Sequence, residues 1–263
     1  MGSLAYLNVR CRRGLVPQKL NWLNELGCQT VWARSPFTGN KKFTIMPNEI
    51  FIPLKEVKLG GELHLPPDAS SLVLFAHGSG SSRRSPRNQF VARTLRKEGK
   101  IGTLLFDLIT AEEENAETDS RHLRFNIPFL AERLVEVTRW VLDTVTTRDM
   151  NVGYLGSSTG AAAALVAAAE LRETVGAVVS RGGRPDLAGD ALGHVKAATL
   201  LIVGSNDKQV IPLNEEAYYL LHCERALRIV PGASHLFEEE GTLEKAALMA
   251  AEWFAGHLQP MHV

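Results

Sequence analysis

Cysteine and aromatic residues are scarce in this chain, neither sign of charge is in excess, and long apolar runs are missing. The three cysteines among 263 residues, Cys11, Cys28 and Cys223, are scattered and odd in number. That argues against a disulfide framework and fits a reducing compartment. The 29 Lys and Arg are matched by 29 Asp and Glu, so nothing in the charge recommends nucleic acid or an anionic membrane as a partner. The longest apolar candidate, Gly160 to Val179, is interrupted by Glu170, Arg172 and Glu173 and falls short of a membrane span. No basic segment followed by a continuous apolar block opens the sequence, so a cytoplasmic location is the expectation. The eight histidines form no H-E-x-x-H and the cysteines no C-x-x-C, so no metal site is expected.

What is present is a core-forming composition, 45% hydrophobic and 22% charged. Residues 1–48 read as an extension of uncertain structure, in which "PQKLNWLNEL" has the spacing of a short amphipathic helix and "RSPFTGNKKF" reads as a turn. From Glu49 the pattern becomes regular. "EIFIPLKEVKLGGELHLP" predicts two antiparallel strands joined near Gly60-Gly61. Continuous Val/Ile/Leu runs then alternate with helical patterns to the end of the chain. Such runs mark strands covered on both faces, so residues 49–263 are expected to form an α/β domain. Its sheet should have about eight mostly parallel strands, with helices on both faces. The polar stretch "AEEENAETDSRHLRFN" is expected to be a loop above the carboxyl ends of the strands.

Those carboxyl ends are where ligands bind in such sheets. Ser158 lies in Gly156-Ser157-Ser158-Thr159-Gly160, a G-x-S-x-G turn between a buried strand and an alanine-rich helix. This spacing lifts a serine hydroxyl above the sheet at a strained turn, at the positive end of the following helix. Asp207 follows "LLIVGSN" and His235 follows "LRIVPGAS", both at strand ends. Ser158 is therefore read as nucleophile, His235 as general base and acid, and Asp207 as the group that fixes the imidazole. Asp186 is the alternative acid. The backbone N–H groups of Thr159 and Ser79 are the expected oxyanion donors. Ser157 and His77 are read as structural.

The motifs "FAHGSGSS", "GSSTG", "SRGGRPDLAG", "LLIVGSNDKQV" and "VPGASHLF" resemble the α/β-hydrolase superfamily in its dienelactone hydrolase-like branch. The resemblance implies the α/β-hydrolase fold without a large lid domain, ester hydrolysis through an acyl-enzyme, and no cofactor. Dienelactone hydrolase itself carries a cysteine nucleophile where this chain has serine. The implied reaction is cleavage of small carboxylic esters or lactones. An inactive binding module on the same fold and acyl transfer to an acceptor other than water are the alternatives. Arginines crowd the same rim, and Arg83 and Arg181 are candidate contacts to a substrate anion, a carboxylate or phosphate. The competing expectation is that these arginines are solvated or paired with Glu112, Glu113 and Glu114.

Overall fold

Five of the eight strands in the main sheet are buried along all or most of their length, and this burial sets the architecture. A computed structural model describes residues 48–116 and 121–258, together with four short strand segments nearer the N-terminus. The chain divides into two compact units, Met1–Glu49 and Ile50–Val263. In the first unit Arg10–Cys11 pairs with Gly14–Leu15, and Val31–Ser35 pairs with Gly39–Phe43, both antiparallel. The "RSPFTGNKKF" stretch thus includes strand residues on both sides of its centre, rather than turn alone. The helix expected over "PQKLNWLNEL" lies outside the described residues.

The second unit is built on eight strands: β1 (Glu49–Pro53), β2 (Lys58–His64), β3 (Ser71–Ala76), β4 (Gly102–Phe106), β5 (Asn151–Ser158), β6 (Val175–Gly183), β7 (Ala198–Gly204) and β8 (Arg225–Val230). Their order across the sheet is β8-β7-β6-β5-β3-β4-β2-β1. From β4 to β8 every neighbouring pair is parallel, and β2 joins β4 antiparallel. The helices are α1 (Pro86–Gly99), α2 (Ala111–Ala116), α3 (Arg121–Phe125), α4 (Ile127–Asp143), α5 (Thr159–Leu171), α6 (Ile211–Leu220) and α7 (Thr242–His257).

Alternation along β3 shows why both faces are covered. Leu72, Leu74 and Ala76 join a core with Leu134, Val137 and Ala163 beneath α4 and α5. Val73 and Phe75 join a second core with Leu95, Ala247 and Phe254 beneath α1 and α7. A strand with apolar residues at every position is the sequence counterpart of a sheet with two buried faces. The eight-stranded, mostly parallel sheet with helices on both sides is the α/β-hydrolase fold.

Two local expectations need correction. Gly60 and Gly61 lie inside β2, not in the β1–β2 turn, which is closed instead by the Leu54 N–H donating to Val57 O at 2.9 Å. Gly60 is small because the Arg83 guanidinium packs against it. The polar stretch from residue 111 contains two short helices, α2 and α3, rather than a plain loop. Its charges are consumed locally: Glu113 pairs with Arg133, and Glu114 with Arg124. Among the described residues, no helix is long and apolar enough to cross a membrane.

Candidate active site

The β5–α5 junction is strained at one residue. Ser158 has φ 51° and ψ −125°, a positive φ that few non-glycine residues adopt, at a cost of about 1–3 kcal/mol. The surroundings leave it little choice. A Cβ on Gly160 would strike the carbonyl oxygens of Ala76 and His77 at the end of β3, and one on Gly156 would strike the Ala161 backbone. Helix α5 can therefore sit this close to the sheet only with glycine at both positions. Ala161, Ala162, Ala163 and Ala164, all fully buried, continue the close packing. Among the described residues Ser158 Oγ has no hydrogen-bond partner.

The other strand ends converge on this turn. Arg181 and Gly183 of β6 are in register with Ser157 and Ser158. Gly182 lies between them, with φ 50°, and a Cβ there would fall 2.7 Å from the backbone oxygen of His235. The loop carrying His235 thus rests on the strand end beside the strained serine. A hydrogen bond of 2.6 Å joins His235 Nδ1 to Asp207 Oδ2. A carboxylate can only accept, so in the neutral ring Nδ1 carries the proton and Nε2 keeps its lone pair. The carboxylate is well shielded and the imidazole more open, at 10% and 37% side-chain exposure. Asp186 holds Arg184 in a two-pronged ion pair, which takes it out of contention as the histidine's partner.

The Ser79 N–H, one of the two expected oxyanion donors, donates to the side-chain Oγ1 of Thr159 at 3.1 Å, which holds its loop against the start of α5. The peptide that carries the Ser79 N–H is fixed through its Gly78 carbonyl, which accepts from Ser81 N–H and from His77, both at 3.0 Å. The His77 tautomer follows from its other nitrogen. Nε2 accepts the Leu108 N–H at 3.1 Å, so Nδ1 must be the donor. Burial, outweighing the Gly78 contact and Asp107, keeps His77 below the ordinary histidine range. The unfolded chain then binds a proton near about pH 6.5 that the folded chain refuses. Stability is complete above that value and is lost as pH falls below it toward the folded pKa. We expect the melting temperature to drop between pH 7 and pH 5, and to drop less steeply in His77→Gln. Half-buried His64, shifted the same way by burial and Arg96, supplies a residual slope. Equal slopes in parent and variant would refute this role for His77.

The arginines divide sharply. Arg83 pairs with Asp107, Arg87 with Glu238 and Arg184 with Asp186. None uses Glu112, Glu113 or Glu114. Arg181 is buried, at 8% exposure, and donates through Nη2 to Ser157 Oγ at 2.9 Å and Asn88 Oδ1 at 3.0 Å. Of the two candidate anion contacts, Arg83 is engaged by the Asp107 carboxylate and Arg181 is enclosed. Ser157 is the hydrogen-bonding residue that its place in the motif implied. Arg124, which donates to the Ser79 carbonyl from α3, carries no sequence signal, because that contact spans 45 residues and follows no motif.

The chain is 55% identical to dienelactone hydrolase from Anabaena variabilis, over 80% of its own length and 97% of that protein's, with a TM-score of 0.78. The chain belongs to the dienelactone hydrolase family. More distant structures share the family's fold: Est1E from Butyrivibrio proteoclasticus is 16% identical with a TM-score of 0.64, covering 79% of this chain and 99% of its own. Proteins from two strains of Mycobacterium tuberculosis, provisionally named phosphoribosyl transferases, are 52% identical over 210 residues. That match covers 80% of this chain but 46% of theirs, so the chain spans about half the length of these curated relatives. No protein-family model matches the chain.

Proposed function

We propose that the Ile50–Val263 unit is a serine hydrolase that cleaves small carboxylic esters or lactones through an acyl-enzyme. The observation that supports it most is the strained Ser158, with its uncommitted hydroxyl, together with a histidine already oriented by a carboxylate in the loop that rests on the neighbouring strand end. In this reading His235 Nε2 comes within about 2.6–3.2 Å of Ser158 Oγ and takes its proton as Oγ attacks the substrate carbonyl. The carbonyl π electrons move to oxygen, which accepts from the Thr159 N–H and from the Ser79 N–H, the latter exchanging its bond to Thr159 Oγ1 for the oxyanion. Collapse of the tetrahedral species breaks the bond to the leaving group, to which His235 returns the proton. A water molecule, deprotonated by the same imidazole, then attacks the acyl carbon; the bond to Ser158 Oγ breaks, Oγ takes the proton back from His235, and the acid leaves. Asp207 keeps the tautomer correct and stabilises the imidazolium.

The name carried by the mycobacterial relatives belongs to proteins about twice as long. The part they share with this chain includes a hydrolase fold, so phosphoribosyl transfer is not proposed for this unit. The substrate is proposed to be a small ester of either charge, and an anionic one would be met by groups other than the Arg83 and Arg181 guanidinium ends. The test is labelling of the full chain with a fluorophosphonate, mapping of the modified residue by mass spectrometry, and turnover of p-nitrophenyl acetate. Modification at Ser158 with measurable turnover is expected. Absence of both would favour a binding module, and a product that incorporates an added alcohol in preference to water would favour acyl transfer.

A further inference from the structure

Arg181 is buried as few cations are. Both hydrogen bonds from its Nη2 go to neutral oxygens, on Ser157 and Asn88, and its Nη1 has no hydrogen-bond partner among the described residues. No carboxylate pairs with it there. The charge that acts on it is another cation, Arg87, whose own partner is Glu238. Burial and Arg87 lower its pKa to about 10, which leaves it charged at neutral pH. A buried charge without a counter-ion is costly, and apolar residues of similar volume serve a core at least as well. The register places this charge beside the residue before the strained serine: Arg181 faces Ser157 across β6 and β5, and its guanidinium holds the Ser157 hydroxyl. The reaction proposed above creates negative charge next door, first on Ser158 Oγ and then on the carbonyl oxygen. A fixed cation in an enclosed, water-poor setting acts on such charge without having to reorganise.

We propose that Arg181 is a positioning residue of this site, whose uncompensated charge favours the transition state through the sheet edge and whose hydrogen bond to Ser157 holds the turn. The proposal rests on the serine hydrolase reading of Ser158. It assigns Arg181 to the chemical step, not to substrate capture.

The experiment uses the full chain, p-nitrophenyl acetate as a neutral substrate, and thermal melts. Asn88→Asp is the decisive variant. It keeps an oxygen acceptor opposite Nη2 but gives the guanidinium the carboxylate it lacks. We expect kcat to fall about tenfold with KM within about twofold, while the melting temperature rises. Arg181→Lys, which keeps the charge, should stay within about threefold of the parent kcat, and Arg181→Met should fall by about 10- to 100-fold. A purely structural role predicts the opposite for Asn88→Asp: a more stable protein of unchanged kcat, which overturns the proposal. So does an Arg181→Met chain that folds and keeps parental kcat, or one whose only defect is a raised KM for an anionic ester. If Arg181→Met does not fold, Asn88→Asp decides alone. A parent chain that neither turns over ester nor takes the phosphonate defeats the hydrolase reading itself, a failure visible before any variant is made.

Discussion

Ser158→Ala is expected to lower turnover of p-nitrophenyl acetate by roughly 10⁴–10⁶-fold and to abolish phosphonate labelling, with the fold unchanged. The size follows from the chemistry: without Oγ there is no acyl-enzyme, and the remaining groups can only assist direct attack by water. The intact fold follows from the geometry. The hydroxyl has no hydrogen-bond partner among the described residues, so its removal leaves no buried group unsatisfied. Alanine inherits the positive φ of the turn, so the strain remains. Ser158→Gly should lose as much activity yet gain stability, by roughly 1–2 kcal/mol, because glycine adopts φ 51° without penalty. A stabilised and inactive glycine variant beside an unstabilised and inactive alanine variant would locate the backbone strain at this residue. Parental rates in Ser158→Ala would remove Ser158 from the mechanism.

Much of this site was legible because it is punctuated by elements that sequence marks strongly. Leu72 to Ala76 and Ala198 to Gly204 are apolar at almost every position, which only a doubly covered strand requires. The polar residues that end such runs must then lie on one rim. Asp207 and His235 could be named as partners for that reason, although 28 residues separate them, and they meet at 2.6 Å. The β1–β2 turn was misplaced because Gly60-Gly61 looks like a turn signal. The glycines serve packing instead: Gly60 makes room for Arg83, which is distant in sequence, and Gly61 lies against Ile50 and Ile52 of β1. The α2–α3 stretch was illegible as structure because short polar helices have no apolar periodicity. Their Glu113 and Glu114 find cations on α4 and α3. Most opaque were the arginines. Composition places them near the rim, but only tertiary packing decides that Arg83 meets Asp107 while Arg181 is enclosed without an acid.

Gly160→Ala tests the physical link between fold and site. The added Cβ would overlap the Ala76 and His77 carbonyl oxygens, which belong to the end of a central strand held by β4 on one side and β5 on the other. Backbone in that position cannot swing aside as a side chain can, so α5 must lift from the sheet. We expect a loss of about 3 kcal/mol or more, and a melting temperature lower by roughly 10 °C for a unit of this size. Any folded fraction should also turn over ester slowly, because a shift of α5 moves the Thr159 N–H away from the oxyanion, and loss of one such donor costs about 3 kcal/mol. Gly256→Ala in α7 is the matched control. Nothing stands within 4 Å of its added Cβ, and alanine is the better helix former by up to about 1 kcal/mol. That variant should melt higher at unchanged turnover. Equal behaviour of the two variants would mean that glycine at position 160 is not what holds the helix against the strand, and the account of how Ser158 comes to be strained would fail with it.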